Sequence, residues 1–129
     1  MLRDNFAPWV RALNLEVRET TADSATLAMP FDAMLHRTGG IVSGQAIMAL
    51  ADTAMVIAFC AQFGEFRAMA TVDNHTTFMR PATNTGLLAI ASVLRAGRML
   101  AYAEARVVTD TPERTLVAKT VGTYAVPPA

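Results

Sequence analysis

Gly44-Gln45-Ala46-Ile47-Met48-Ala49-Leu50-Ala51-Asp52-Thr53-Ala54-Met55-Val56-Ile57-Ala58-Phe59-Cys60-Ala61 is the most apolar stretch of the chain, and one aspartate sits in its middle. Its length and unbroken apolar character predict a helix over 44–63, ended by Gly64. A helix that is apolar nearly all round must be surrounded on most sides. A carboxylate in such surroundings is costly unless it is paired, hydrogen-bonded or neutralised. Chains tolerate that cost most often at functional sites, which makes Asp52 the first candidate.

Outward from this helix the pattern changes. Residues 4–12 predict a short helix carrying Phe6, Trp9 and Val10. Leu15 to Met29 reads as two short strands joined by a turn near Ala22-Asp23, and Pro30 to Ser43 as a loop punctuated by Gly39-Gly40. After the helix come long β patterns: Ala68–Met79, then Leu87–Arg95 paired with Met99–Asp110 through Ala96-Gly97-Arg98. Arg114–Val126 pairs back through Thr111-Pro112-Glu113. One long buried helix followed by four long antiparallel strands predicts an α+β fold, a curved sheet wrapped around the helix. With no internal repeat or linker, residues 1–129 are expected to form a single domain.

Composition narrows the function. The chain is 53% hydrophobic and only 17% charged, so part of its surface is expected to be buried in an oligomer. With 11 basic and 11 acidic side chains, it lacks the basic excess of a dedicated nucleic-acid binder. The lone Cys60 excludes an internal disulfide and suits a reducing, cytoplasmic compartment. The apolar run 46–61 is shorter than the roughly 20 residues of a membrane span and has a carboxylate within it, so no membrane is expected. No residues show metal-ligand spacing, and no cofactor is expected.

The block Arg37-Thr38-Gly39-Gly40-Ile41-Val42-Ser43-Gly44-Gln45, with Asp52 eight residues after Gly44, resembles the hotdog-fold thioesterases of the phenylacetate-degradation, PaaI-like type. Their pattern is Asn-x-x-Gly-x-x-His-Gly-Gly followed by an aspartate. Gly40, Gly44 and Asp52 fall in register with it, Thr71 lies ten residues before Pro81, and a Gly97-Arg98 hairpin follows. The likeness covers about residues 31–126. Arg37 stands where the family has Asn, Ser43 where it has His, and Gln45 where it has the second Gly, so the carbonyl-binding half departs from the pattern. The resemblance implies a hotdog fold and acyl-CoA thioester hydrolysis, with Asp52 as base or nucleophile, Gly44 as oxyanion donor and Thr71 orienting water.

The residues are consistent with those roles. Thioester hydrolysis needs a donor for the developing oxyanion and a group that activates water or attacks directly. Gly44 opens the helix, so its N–H is an unpaired terminal donor aided by the helix dipole. Ser43 reads as the N-cap, since the Gly-x-Ser-x-Gly elbow is missing. Gly44 and Asp52 lie roughly 12 Å apart along one helix, too far to meet one small carbonyl. Two antiparallel copies of the helix across a twofold axis bring Gly44 of one chain to Asp52 of the other. A dimer with a shared site is therefore expected; association into a tetramer is expected as well, with its arrangement left open by the sequence. His36 and Arg37 are candidates for the substrate carbonyl, Ser43 and Gln45 for the same wall, and Arg80, Arg95 and Arg98 for the coenzyme phosphates. Met48, Met55, Phe59, Phe63 and Phe66 read as core, or as lining for a medium-chain or aryl acyl group. Two other functions fit: an acyl-thioester hydratase or dehydratase pairing His36 with Asp52, and a non-catalytic acyl-ligand binder.

Overall fold

The computed structural model describes residues 5–128. Helix α1 spans Pro8–Arg11, opened by proline at its first position. It is shorter than the expected 4–12, and Asp4 lies outside the described residues. Strands β1 (Glu16–Thr20) and β2 (Ser24–Met29) form the first hairpin. Helix α2 (Gly44–Phe63) follows, and then four long strands: β5 (Ala70–Phe78), β6 (Leu87–Ala96), β7 (Leu100–Thr109) and β8 (Leu116–Ala125). Six antiparallel strands make one sheet in the order β1-β2-β6-β7-β8-β5, bent around α2 in a hotdog fold.

Local chemistry sets the limits of α2. The Ser43 hydroxyl accepts from the Ala46 N–H at 3.2 Å, satisfying one of the free donors of the first turn. At the other end Gly64 takes the left-handed conformation, φ 76°, and its N–H returns to the Cys60 carbonyl at 2.9 Å. Alanines let the helix approach the sheet closely: Ala51, Ala54 and Ala58 on α2 and Ala89, Ala103, Ala105 and Ala118 on the strands are fully buried. Leu50, Met55, Phe59 and Tyr124 fill the remaining volume. The helix is long and apolar enough to cross a membrane by composition, but 72% of its most apolar window is buried, and it is the core helix of this fold.

Two expectations change. Pro30 to Ser43 is not wholly loop. A 3₁₀ turn at Ala33–Leu35 is capped by Asp32, whose carboxylate accepts from the Met34 N–H. A small hairpin follows, β3 (His36–Arg37) against β4 (Ile41–Val42), turning through Gly39 and Gly40 at φ 97° and 74°. Met48 is exposed rather than core. It lies with Gln45 and Asp52 on a stripe of α2 that the sheet leaves uncovered.

Candidate active site

That uncovered stripe is bordered by β5. This edge strand pairs only with β8 among the described strands and is exposed along most of its length. Strand and helix run in opposite directions, so Phe78 lies over Gly44 while Thr71 and Asn74 reach Asp52. Two chemically distinct regions result.

The first surrounds Asp52, which is partly buried. Its Oδ1 accepts three hydrogen bonds: from the Tyr124 hydroxyl at 2.6 Å, the Asn74 amide at 3.0 Å and the Thr71 hydroxyl at 3.2 Å. The buried-carboxylate problem is thus met by donors rather than by a cation. Among the described residues no hydrogen bond reaches Oδ2. The register of β5 on β8 builds this cluster, with Thr71 opposite Tyr124 and Asn74 opposite Gly122. Gly122 is required there: a β-carbon on it would lie 2.5 Å from Asn74 Oδ1 and 2.8 Å from the Tyr124 ring. The Tyr124 ring packs edge-on against Phe59 at 5.2 Å and is fully buried. Burial, then the Asp52 charge and the hydrogen bond to it, push the Tyr124 phenol far above its ordinary range, so near neutrality it is a hydroxyl donor.

The second region is a cavity of about 320 Å³ at the N-terminus of α2, lined by Gly44, Ile47, Ile41, Val42, Phe78–Ala82 and Arg37. Most of its wall is apolar. Two arginines mark it: Arg37 Nη1 donates to the Thr38 carbonyl and Arg80 Nη1 to the Leu116 carbonyl. Neither has an acidic partner among the described residues. The first N–H groups of the helix, Gly44 included, have no intrahelical acceptor. A β-carbon on Gly44 would come within 3.2 Å of the Phe78 ring.

The expected residues therefore divide. Thr71 joins Asp52. Gly44, Arg37 and Arg80 line the cavity, while Ser43 caps the helix beside them. Gln45 is exposed on the open stripe. Arg95 and Arg98 are exposed at the tip of the β6–β7 hairpin, where Ala101, beside the turn, lies opposite Tyr124, and so belong to the Asp52 end. His36 packs edge-on against Phe31 at 5.1 Å, with Nε2 buried and without a partner among the described residues. Its hairpin precedes the helix, and among the described residues no hydrogen bond joins it to Asp52. Asn74, Tyr124 and Gly122 were missed from sequence. The available signal was a glycine inside a strand, which marks a close approach, two residues from an aromatic hydroxyl that needs a partner if buried. Cys60 is buried; burial raises its thiol, which donates to the Arg67 carbonyl at 3.7 Å. Among the described residues no cluster of His, Cys, Asp or Glu could hold a metal.

Comparison with known proteins agrees with this fold. The family model of the thioesterase superfamily matches residues 39–116. A presumed esterase of Thermoplasma acidophilum is 28% identical over 116 residues, which cover 90% of this chain and 86% of that protein. The solved structure of a conserved protein from Pseudomonas aeruginosa superposes with a TM-score of 0.85 at 26% identity, over 97% of this chain and 98% of the other. The PaaI protein of the E. coli phenylacetic acid degradation operon gives 0.84 at 21% identity, over 95% and 86%, a likeness of fold.

Proposed function

The chain belongs to the thioesterase superfamily and is a hydrolase, and from that premise we propose that it cleaves medium-chain or aryl acyl-CoA thioesters at a site shared by two subunits. The observation that carries the proposal is the state of Asp52. One carboxylate oxygen is occupied by three donors and the other has none among the described residues, on a helix face that the fold does not cover. Oδ2 takes a proton from water as the water oxygen attacks the thioester carbon, or it attacks that carbon itself and the resulting anhydride is then hydrolysed. In either case the C–S bond breaks, the thiolate leaves and is protonated, and a carboxylic acid forms. The Gly44 N–H, at the positive end of α2, receives the oxyanion.

Within one chain the two groups lie two helical turns apart, roughly 12 Å, and Asp52 does not line the Gly44 cavity. The uncovered stripe and the exposed edge of β5 favour a second copy of the chain as the missing wall. An exposed strand edge carrying Val72 and Phe78 is a surface that proteins cover. A twofold axis that sets two α2 helices antiparallel places the partner's helix start beside Asp52. It also brings one chain's Arg37 and Arg80 toward the other chain's Arg95 and Arg98, a basic rim suited to coenzyme phosphates. The apolar wall of Ile41, Ile47, Phe78 and Met79 would take the acyl group.

Complementation tests the shared site. Asp52→Asn should lower kcat about 10²–10⁴-fold. Gly44→Pro removes the backbone donor at a position where proline is tolerated. Each variant is first checked for helix content and dimer size. Refolded together, random pairing gives half mixed dimers, each with one intact site of two, and activity returns to roughly a quarter of wild type. Mixed dimers that form and stay inactive would overturn the shared site. Asp52→Asn with activity within a few-fold of wild type would overturn the assignment of Asp52.

A further inference from the structure

We infer that Tyr124 and Asn74 are positioning residues, which fix the orientation of the Asp52 carboxylate so that its donor-free oxygen faces the open side of the helix. The inference rests on Asp52 being the reacting carboxylate. A free aspartate rotates about its last side-chain bond and points its oxygens over a wide arc, because that torsion is broad. Here rotation would break three hydrogen bonds at once. The shortest, 2.6 Å from Tyr124, is in the range of charge-assisted O–H···O⁻ bonds.

The donors are themselves held. The Tyr124 ring is fully buried and braced edge-on by Phe59, so its hydroxyl has little freedom to follow a moving carboxylate. Asn74 turns its NH₂ to Asp52, with its own carbonyl oxygen held above Gly122, buried and without a partner among the described residues. Gly122 completes the arrangement, since any side chain there would displace the Asn74 amide or the Tyr124 ring. Neutralising the buried charge does not require this geometry: Asp52 is only partly buried, and water could supply donors to either oxygen.

The test uses the full chain and acyl-CoA substrates, with Tyr124→Phe and, independently, Asn74→Ala. Phenylalanine keeps the ring contact with Phe59 and removes only the hydroxyl. Each variant should lose about tenfold to a hundredfold in kcat, with KM within about twofold, because misplacing a reacting group affects the chemical step rather than binding. In an Asp52→Asn background the same substitutions should have no further effect on the residual rate, since no reacting oxygen is left to position. A structural role predicts the opposite: equal losses in both backgrounds, following the folded fraction. Should Tyr124→Phe not fold, Asn74→Ala, on the exposed strand, carries the test alone. Wild-type kcat in the folded variants, with Asp52→Asn inactive, overturns the positioning role and leaves Asp52 in place. An active Asp52→Asn instead removes the premise.

Discussion

Replacing Gly122 with alanine adds one methyl group where three neighbouring side chains already crowd the space. Its β-carbon would lie 2.5 Å from Asn74 Oδ1, 2.8 Å from Tyr124 Cε1 and 3.1 Å from Met55 Cε. Met55 is flexible and can give way. The Tyr124 ring cannot, being wedged against Phe59, and β8 is tied to both β5 and β7, so the backbone has little room to retreat. The Asn74 amide must therefore move and release Asp52. Losing a hydrogen bond to a charged group costs about 1.5–3 kcal/mol, and overpacking of this kind adds about 1–3 kcal/mol. The two overlap in one displacement, so a net loss of about 2–4 kcal/mol is expected. For a chain of this size that lowers Tm by about 10 °C. Thermal unfolding followed by circular dichroism measures it, and thioester cleavage on the same sample should fall with the loss of the Asn74 contact. A Gly122→Ala protein with wild-type Tm and kcat would refute the reasoning, because it would mean the cluster around Asp52 is loosely packed.

Gly44→Ala is expected to separate stability from activity. Its new methyl meets only the exposed Phe78 ring, at 3.2 Å, which can swing outward, so Tm should move by less than about 3 °C. The methyl would nevertheless intrude where a carbonyl must approach the helix start, and kcat/KM should drop at least about tenfold; a variant with normal turnover would show that the Gly44 amide is not the oxyanion donor. Alkaline pH is expected to act through Tyr124, whose folded-state phenol is raised by burial, by the Asp52 charge and by its hydrogen bond. Its contribution to stability is complete below the ordinary tyrosine value near 10 and is lost as pH rises above it, since the unfolded chain then binds fewer protons than the native one. In Tyr102→Phe, which leaves Tyr124 as the one tyrosine, phenolate absorbance should appear only as the protein unfolds; its appearance in folded protein would contradict the burial argument.

What could be read from sequence follows the range of the interactions. Helix α2 was legible to the residue because its determinants are local: Ser43 to cap, an unbroken apolar run, and Gly64 to stop. Strands β6, β7 and β8 fell within one or two residues of expectation for the same reason, each bounded by its own turn. The β3–β4 hairpin was not legible. Strands of two residues have no periodicity, and this pair is held from outside by a remote contact, the Val42 N–H to the Ala82 carbonyl. Met48 was misassigned because a helix apolar on every side gives no direction for its open face. At the site, Asp52 could be found because its chemistry conflicts with its neighbours. Thr71 came from the family pattern. Asn74 and Tyr124 depended on the β5–β8 register, which includes an irregularity between Thr71 and Asp73 that no strand pattern announces.

That irregularity bears on how the site is made. In a regular ladder alternate residues of β5 face α2, and Thr71 and Asn74, three apart, would point to opposite sides of the sheet. The register shift between Thr71 and Asp73 takes up one residue, so that both reach the same Asp52 oxygen. It leaves Val72 exposed at the sheet edge, beside the helix stripe of Gln45, Met48 and Asp52. The same distortion thus gathers two of the three donors and places an apolar side chain where a second copy of the chain would cover it. Closing that face would also remove water from around Asp52 and the partner's helix start. In a drier site a backbone donor and a carboxylate act more strongly on a developing oxyanion than they do in solvent. Assembly and catalysis would then draw on one surface, which would account for a chain with so few charges keeping Asp52 on the face its own sheet leaves open.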